Sequence, residues 1–199
     1  MKKKGILCMK KKYVFILAII AVVLSGCFLF SSKPEDTSLI KLGDTLTVDN
    51  TDSRRILLGK QDALAMDGMY YAAWGMGQTE PYEDSDGKIV QLYDAQIHLL
   101  LGEYKDAETA QQNMNSWLET GRDGYDVIEE TQSTYNGQTY TKLTYRFQDK
   151  EVPFSEGISV FTVVGSSALC IELTCRESFT DNPETTMADF LNCCTYLTK

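Results

Sequence analysis

The sequence predicts an α+β domain in which helices flank an antiparallel β-sheet. Apolar and polar residues alternate with a period of two over much of residues 69–176, and such alternation is typical of strands that bury one face. Two stretches of helical periodicity interrupt and follow this region, over residues 106–120 and after Pro183. Short turn signals, of which Asn136-Gly137 is the strongest, indicate antiparallel neighbours. We therefore expect a sheet of about six or more strands with helices packed on it.

Shorter elements are predicted before residue 69. Leu39 to Val48 alternates in places, which predicts a strand with a turn or bulge at Gly43-Asp44. Ile56 to Leu58 predicts a second short strand, and Asp62 to Met66 a single helical turn.

Two longer strands are predicted on either side of an acidic turn over Glu80 to Gly87. The first, Met69 to Met76, is rich in aromatic residues that favour a pleated surface. The second runs from Lys88 to Leu101. Its apolar face comprises Ile89, Tyr93, Ala95, Ile97, Leu99 and Leu101, and its opposite, less buried face comprises Asp94, Gln96 and His98.

The first amphipathic helix follows these strands. Asp106 is its expected N-cap, and Gly121 is expected to end it in the usual C′ position. Its apolar stripe comprises Ala107, Ala110, Met114, Trp117 and Leu118.

Two hairpins and a closing helix complete the predicted domain. Asn136-Gly137 joins Tyr125–Tyr135 to Gln138–Gln148, and a turn at Gly165-Ser166-Ser167 joins Gly157–Val164 to Ala168–Arg176. Asn182-Pro183 is expected to cap and start the last helix. Its apolar face comprises Met187, Phe190, Leu191, Cys194 and Leu197.

This order of elements resembles the PsbP-type α/β/α sandwich, a family that includes many small exported lipoproteins. The resemblance covers roughly Met69 to Leu197 and rests on the helix Asp106–Thr120, the Asn136-Gly137 hairpin and the closing helix after Pro183. It implies a fold. It transfers no functional residue, because none of the family's site positions is matched in this sequence.

The N-terminus has the layout of an export signal. Lys10 to Lys12 form a basic segment and Tyr13 to Leu24 an apolar one. Leu24-Ser25-Gly26-Cys27 then resembles the lipobox of bacterial lipoproteins, which implies that Cys27 receives a diacylglyceryl group and becomes the first mature residue. Further acylation, by palmitate for example, makes such an anchor stable, since one chain binds only marginally. The alternative is an uncleaved anchor helix over Tyr13 to Phe30, near the lower limit for a membrane span.

Three segments follow from this interpretation: a lipoprotein signal peptide over 1–26, a lipidated N-terminus and tether over 27–38, and a single α+β domain over 39–199. The mature chain of 173 residues carries 13 Lys and Arg against 28 Asp and Glu, a formal net charge of −15. Such an acidic body disfavours nucleic acid and anionic lipid. We expect attachment to the cell membrane through lipid on Cys27, with the domain on the extracytoplasmic side.

Four cysteines remain after the signal: Cys170, Cys175, Cys193 and Cys194. In an exported protein they allow one or two disulfides, and free buried thiols are the alternative. Their spacings match no common zinc pattern. Strand alternation would bring Cys175 to the closing helix, whereas the reach of that helix favours Cys170. The reach argument predicts a disulfide between Cys170 and either Cys193 or Cys194.

No catalytic, cofactor or metal site is predicted. His98 is the single histidine and no serine lies in a nucleophile motif. Aligning Gly87 with the invariant glycine of an EF-hand puts tyrosines at two ligand positions, which excludes that loop. A weak surface calcium site stays an alternative, formed by Glu80, Glu83, Asp84 and Asp86.

The predicted function is a membrane-anchored extracytoplasmic lipoprotein with a non-enzymatic binding or assembly-support domain. Exposed aromatic residues on a rigid sheet suit a protein or glycan partner. The expected partner surface comprises Tyr71, Trp74, Tyr82, Glu83, Asp84 and Asp86. The alternatives are a solute-binding accessory of a transporter and an extracytoplasmic enzyme.

Overall fold

The computed structural model describes residues 38–62, 68–83, 87, 89–147 and 152–197. Within them lie two sheets and two helices. The strands are β1 (Leu39–Leu42), β2 (Leu46–Asp49), β3 (Arg55–Asp62), β4 (Met69–Glu83), β5 (Ile89–Glu103), β6 (Asp126–Tyr135), β7 (Gln138–Arg146), β8 (Glu156–Val164), β9 (Ser167–Cys175) and β10 (Cys194–Tyr196). The helices are α1 (Ala107–Gly124) and α2 (Pro183–Asn192).

A seven-stranded sheet in the order β3-β4-β5-β9-β8-β7-β6 forms the centre of the domain. All its neighbouring strands are antiparallel. Asn136 and Gly137 both have positive φ, 46° and 78°, as the tight turn between β6 and β7 requires. The predicted α+β class and antiparallel sheet are confirmed.

Helix α1 packs on one face of this sheet. The Asp106 side chain accepts a hydrogen bond of 2.7 Å from the backbone N–H of Thr109, so the predicted N-cap is confirmed. The prediction that Gly121 ends the helix is wrong, because α1 continues to Gly124. A Cβ on Gly121 would lie 3.2 Å from Cδ1 of Leu143. The glycine thus allows a close approach of helix and sheet.

Helix α2 and a small sheet cover the opposite face. The Asn182 side chain caps α2 by accepting from Thr185 N at 3.0 Å. Strand β10 follows α2 directly and pairs with β2, which also pairs with β1. The result is one helix on each side of the central sheet, as expected for an α/β/α sandwich. The core on the α2 side includes Leu42, Leu46, Val48, Trp74, Ile97, Leu99, Ile171, Leu173, Met187, Phe190 and Leu191.

The β4–β5 hairpin is longer than predicted and extends past its neighbours. Strand β3 pairs with β4 only as far as Met76, and β9 pairs with β5 only from Ala95. Beyond a register shift between Met76 and Thr79, none of the described strands pairs with the outer edge of either strand. We call this outer part, residues 78–83 and 89–93, the arm. The predicted helical turn over Asp62 to Met66 lies almost wholly outside the described residues.

Candidate functional site

Two residues of the predicted partner surface lie in the interior. Tyr71 is 6% exposed and Trp74 is fully buried, so their assignment to the surface is wrong. The Trp74 indole N–H donates to Asn50 Oδ1 at 2.8 Å, and its ring lies edge-on to Phe190. Both faces of the sheet are covered by another layer, so alternation along β4 distributes its aromatic residues between two cores.

The other predicted partner residues belong to the tip of the same hairpin. Tyr82 is half-buried and Glu83 is exposed, both at the outer end of β4. Asp84 and Asp86 lie outside the described residues. Along the described chain, no group of three or more His, Cys, Asp or Glu side chains is placed to hold a metal ion. No helix in this part is long and apolar enough to cross a membrane.

Hydrogen bonds and ion pairs fix the base of the arm to β9 and the loop that follows it. The Arg176 guanidinium pairs with Glu80 and lies 4.0 Å from the Asp94 carboxylate. Asp94 also accepts from the backbone N–H of Gln78 at 2.7 Å, where Gly77 turns the chain with φ of 82°. These contacts hold the arm against the rigid sheet at its base.

The surface of the arm is apolar and acidic. Ile89 is 63% exposed, which makes it the most exposed large hydrophobic side chain in the described chain. Glu80 and Glu83 lie on the facing strand, and Tyr82 stands between them in the sequence. A ribbon with open edges, an exposed isoleucine and acidic groups is suited to contact with another macromolecule.

An open cavity of about 910 Å³ lies next to the base of the arm. Arg176, which pairs with Glu80 of the arm, is one of its lining residues. Three phenylalanines, Phe147, Phe154 and Phe179, line it together with Arg146 and Arg176. Glu156 and Glu177 line it as well, so the wall carries both charges. Aromatic rings framed by polar groups suit a small apolar or aromatic ligand.

The α1 side of the sheet contains a row of buried polar residues. His98 on β5, Glu172 on β9 and Ser159 on β8 lie directly opposite one another in the sheet register. Each is at most 7% exposed. The Glu172 carboxylate accepts hydrogen bonds from the hydroxyl groups of Tyr145, at 2.5 Å, and Tyr125.

The histidine of this row and the tyrosines bonded to its carboxylate are uncharged at neutral pH. Burial lowers the pKa of His98 to about 4, so the imidazole is neutral at pH 7. Its Nδ1 forms a hydrogen bond of 2.9 Å with the Tyr71 hydroxyl. Burial, followed by the charge of Glu172, raises the pKa of Tyr125 and Tyr145 well above the usual value. Both phenols therefore remain hydrogen-bond donors to the carboxylate.

This row does not form a catalytic triad in the described chain. The Ser159 hydroxyl contacts Tyr145 Oη and Glu172 Oε1, each at 3.4 Å, and not the imidazole. The prediction that His98 lies on the less buried face of β5 is confirmed, since Gln96 and His98 are 4% and 6% exposed against 0% for Ile97 and Leu99 on the opposite face. Both faces are nevertheless buried. The polar alternation of Cys170, Glu172 and Thr174 along β9 was the sequence signal for this row.

The predicted disulfide is not formed. All four described cysteines, Cys170, Cys175, Cys193 and Cys194, are free thiols. Cys170 packs with the cluster under α1, whereas Cys194 belongs to the core on the α2 side. The sheet itself separates the two sulfurs, so the argument from helix reach is wrong. Strand alternation was the better guide, since Cys175 shares the core of Cys194.

Together, the fold and these sites define a single α+β domain with an antiparallel sheet between two helical layers and a hairpin arm. No family model matches the sequence, and no curated protein matches it. Solved structures that are similar to it include the following two. The solution structure of PsbP from Synechocystis sp. PCC 6803 has a TM-score of 0.38 and 11% identity, over 84% of this chain and 99% of that one.

The second is the extracellular domain of PknH from Mycobacterium tuberculosis, with a TM-score of 0.35 and 9% identity over 62% of this chain. The chain spans about three fifths of that domain, 61% of its length. At these values the two similarities describe overall shape and carry no argument about function.

Proposed function

We propose that this protein is a lipid-anchored extracytoplasmic protein whose domain binds a protein partner through the arm and catalyses no reaction. The single observation that carries the binding role is the arm itself, a two-stranded ribbon with open outer edges and a 63% exposed isoleucine. Edges of this kind are normally covered or blunted in natural sheets. The β4 edge of the arm carries Glu80, Pro81 and Glu83, residue types that block the addition of a further strand. The arm, braced at its base by Arg176, is therefore suited to recognition through its side chains.

The anchor rests on the sequence around Cys27. A basic segment, an apolar segment and Leu24-Ser25-Gly26-Cys27 follow one another in the order of a lipoprotein signal. An acidic body of net charge −15 is repelled by anionic lipid, so attachment needs an acyl chain. The same charge favours a partner with a basic contact surface.

A non-enzymatic role is supported by the hydrogen bonding of the row on the α1 side. In a serine hydrolase, the hydroxyl group of the serine is hydrogen-bonded to the imidazole of the histidine. Here the imidazole bonds to Tyr71, and the serine contacts Tyr145 and Glu172. The donors and acceptors of the row are used within the sheet, as in a network that fastens neighbouring strands.

The cavity beside the arm favours a second candidate, a solute receptor. Its three phenylalanines, with arginine and glutamate side chains around them, would hold a small apolar or aromatic solute. In that case the contact point for ligand would be Phe179, on the cavity wall, and Ile89 on the arm would play no part.

Site-specific photo-crosslinking separates the two candidates. A benzoylphenylalanine is introduced at Ile89 in the full-length protein in membranes, and the matched control carries it at Ile128 on β6, which is 56% exposed. We expect a discrete light-dependent adduct at position 89 that position 128 does not give, and that Glu83→Lys weakens. Adducts that are equal at the two positions, or absent from both, would refute the binding role of the arm.

A further inference from the structure

A buried arginine contacts a free thiol where α2 ends. Arg55 begins β3 and is 6% exposed. Its Nη2 donates to the Asp49 carbonyl oxygen and to Cys193 Sγ, each at 3.2 Å. The guanidinium also lies over the Phe190 ring, 5.5 Å from its centroid. The buried Nε of Arg55 has no hydrogen-bond partner among the described residues.

Among the described residues, no carboxylate forms an ion pair with this buried cation. A buried charge is normally paired with an opposite one, because desolvation is costly. The two nearest acids are engaged elsewhere: Asp49 accepts from Thr51 N at 3.0 Å, and Asp52 binds Arg54. Beside the Asp49 carbonyl oxygen, the guanidinium faces the sulfur of Cys193, a weak acceptor as a thiol and a strong one as a thiolate.

The other three cysteines lie in apolar surroundings. Burial raises the pKa of Cys175 and of Cys194 to about 12 in each case, and it raises that of Cys170 as well. Cys175 and Cys194 are buried, and Cys170 is partly exposed but lies near the charge of Glu172. A partly exposed thiol beside an arginine, by contrast, is the typical setting of a reactive one. Cys193 is partly exposed and follows the last residue of α2.

One effect opposes the arginine. The carboxyl end of a helix carries roughly half a negative charge, which disfavours an anion at the C-cap. The Cys193 thiol in fact donates to the Asp189 carbonyl oxygen at 3.2 Å. The Cys193 sulfur therefore contacts a guanidinium on one side and a helix carbonyl oxygen on the other, at 3.2 Å each.

We propose that Cys193 is a thiol-modification site, held by Arg55, that exchanges with small disulfides. The Cys193 thiolate attacks one sulfur of the incoming disulfide, and a new S–S bond forms to Sγ while the original S–S bond breaks. The second sulfur leaves with the electron pair as a thiolate and takes up a proton from water. Cys193 is oxidised to a mixed disulfide, and half of the incoming disulfide is reduced to a thiol.

The test uses oxidised glutathione as the probe on the full-length protein in detergent. Intact mass and peptide mapping are expected to show one glutathionyl group on Cys193, with Cys170, Cys175 and Cys194 unmodified until the protein unfolds. Cys193→Ser is expected to abolish the adduct, and Cys194→Ser to retain it. An adduct on another cysteine of the folded protein, or a disulfide-linked dimer through Cys193 in its place, would overturn the proposal.

The role of Arg55 has a matched control in the next residue. Arg54 is exposed and binds Asp52, so Arg54→Gln is expected to leave the exchange rate unchanged. Arg55→Gln is expected to slow exchange about tenfold, and Arg55→Lys, which keeps the charge, to restore most of it. Rates are compared only for variants whose circular dichroism matches that of the parent protein. Equal rates for Arg55→Lys and the two glutamine variants would remove Arg55 from the site.

Discussion

His98 and Glu172 lie directly opposite each other on β5 and β9, yet each bonds to a different tyrosine. His98 Nδ1 meets the Tyr71 hydroxyl at 2.9 Å, and Glu172 Oε1 accepts from Tyr145 at 2.5 Å. Tyr71 on β4 therefore bonds to one end of the row, and Tyr145 on β7 bonds to it from the opposite side. Its members connect strands across most of the width of the sheet.

Glu172→Ala is expected to destabilise the domain by about 2–4 kcal/mol, because it leaves the buried hydroxyl groups of Tyr125 and Tyr145 without their acceptor. Urea unfolding followed by circular dichroism measures this change. The control, Glu129→Ala on the exposed face of β6, is expected to stay within about 0.5 kcal/mol of the parent protein. Equal effects of the two substitutions would contradict a structural role for the Glu172 network.

Stability is expected to fall as the pH falls from about 6.5 to about 4. The pKa of His98 is about 4 in the folded protein, against the usual value of 6.5 for a solvated histidine. In this window the unfolded chain therefore binds one more proton than the folded chain. The stabilising contribution is complete above the unfolded pKa and decreases toward the folded one, by about 3 kcal/mol in total.

His98→Gln tests this pH dependence, since an amide can still bond to Tyr71 but does not titrate. Urea unfolding at pH 4.5 and pH 7 is compared between the two proteins. The loss of stability at the lower pH should be clearly smaller in the variant. If both proteins lose the same free energy, His98 is not the titrating group.

Cys27→Ala is expected to abolish acylation and to release the protein from the membrane fraction. Cys27 is the proposed nucleophile and the only thiol of the lipobox-like sequence Leu24-Ser25-Gly26-Cys27. Metabolic labelling with a clickable fatty acid measures the acylation. Cys8→Ala, outside that sequence, is the control and should keep the label. Label and membrane attachment that survive Cys27→Ala would exclude the lipoprotein interpretation in favour of an uncleaved helix.

All four cysteines of the domain are expected to be free thiols in protein that is purified without exposure to small disulfides. Alkylation in denaturant without a reducing agent should therefore label Cys170, Cys175, Cys193 and Cys194. Non-reducing peptide mapping gives the answer directly. A peptide that links Cys170 to Cys193 or Cys194 would contradict the positions of these residues on opposite sides of the sheet.

The regular parts of the fold could be predicted from the sequence. Long strands such as β5 and hairpins with Asn136-Gly137 carry strong local signals, and the Asp106 cap is local as well. Strand β10 could not be predicted, because three residues show no period and its partner β2 lies far away in the sequence. Tertiary contact, and not propensity, makes it a strand.

The candidate sites were less predictable because burial depends on what covers each face. The sequence indicated aromatic residues on β4, but only the packing of α2 against Trp74 shows that this ring is interior. Alternation placed His98 opposite the apolar face, and the layer that buries it has no local signal. The contact between Arg55 and Cys193 joins residues from distant parts of the chain. No sequence spacing could have indicated it.

The small sheet has a mechanical consequence for a domain held at its N-terminus. Strand β2 is bonded to β1 on one side and to β10 on the other. A pull on the chain ahead of Leu39 reaches β1 first and passes through β2 to the C-terminal strand. Peeling β1 away would expose Ile40 and Leu42, which are buried. If the proposed anchor at Cys27 holds the protein, we expect tension to separate β1 from β2 before it reaches the seven-stranded sheet.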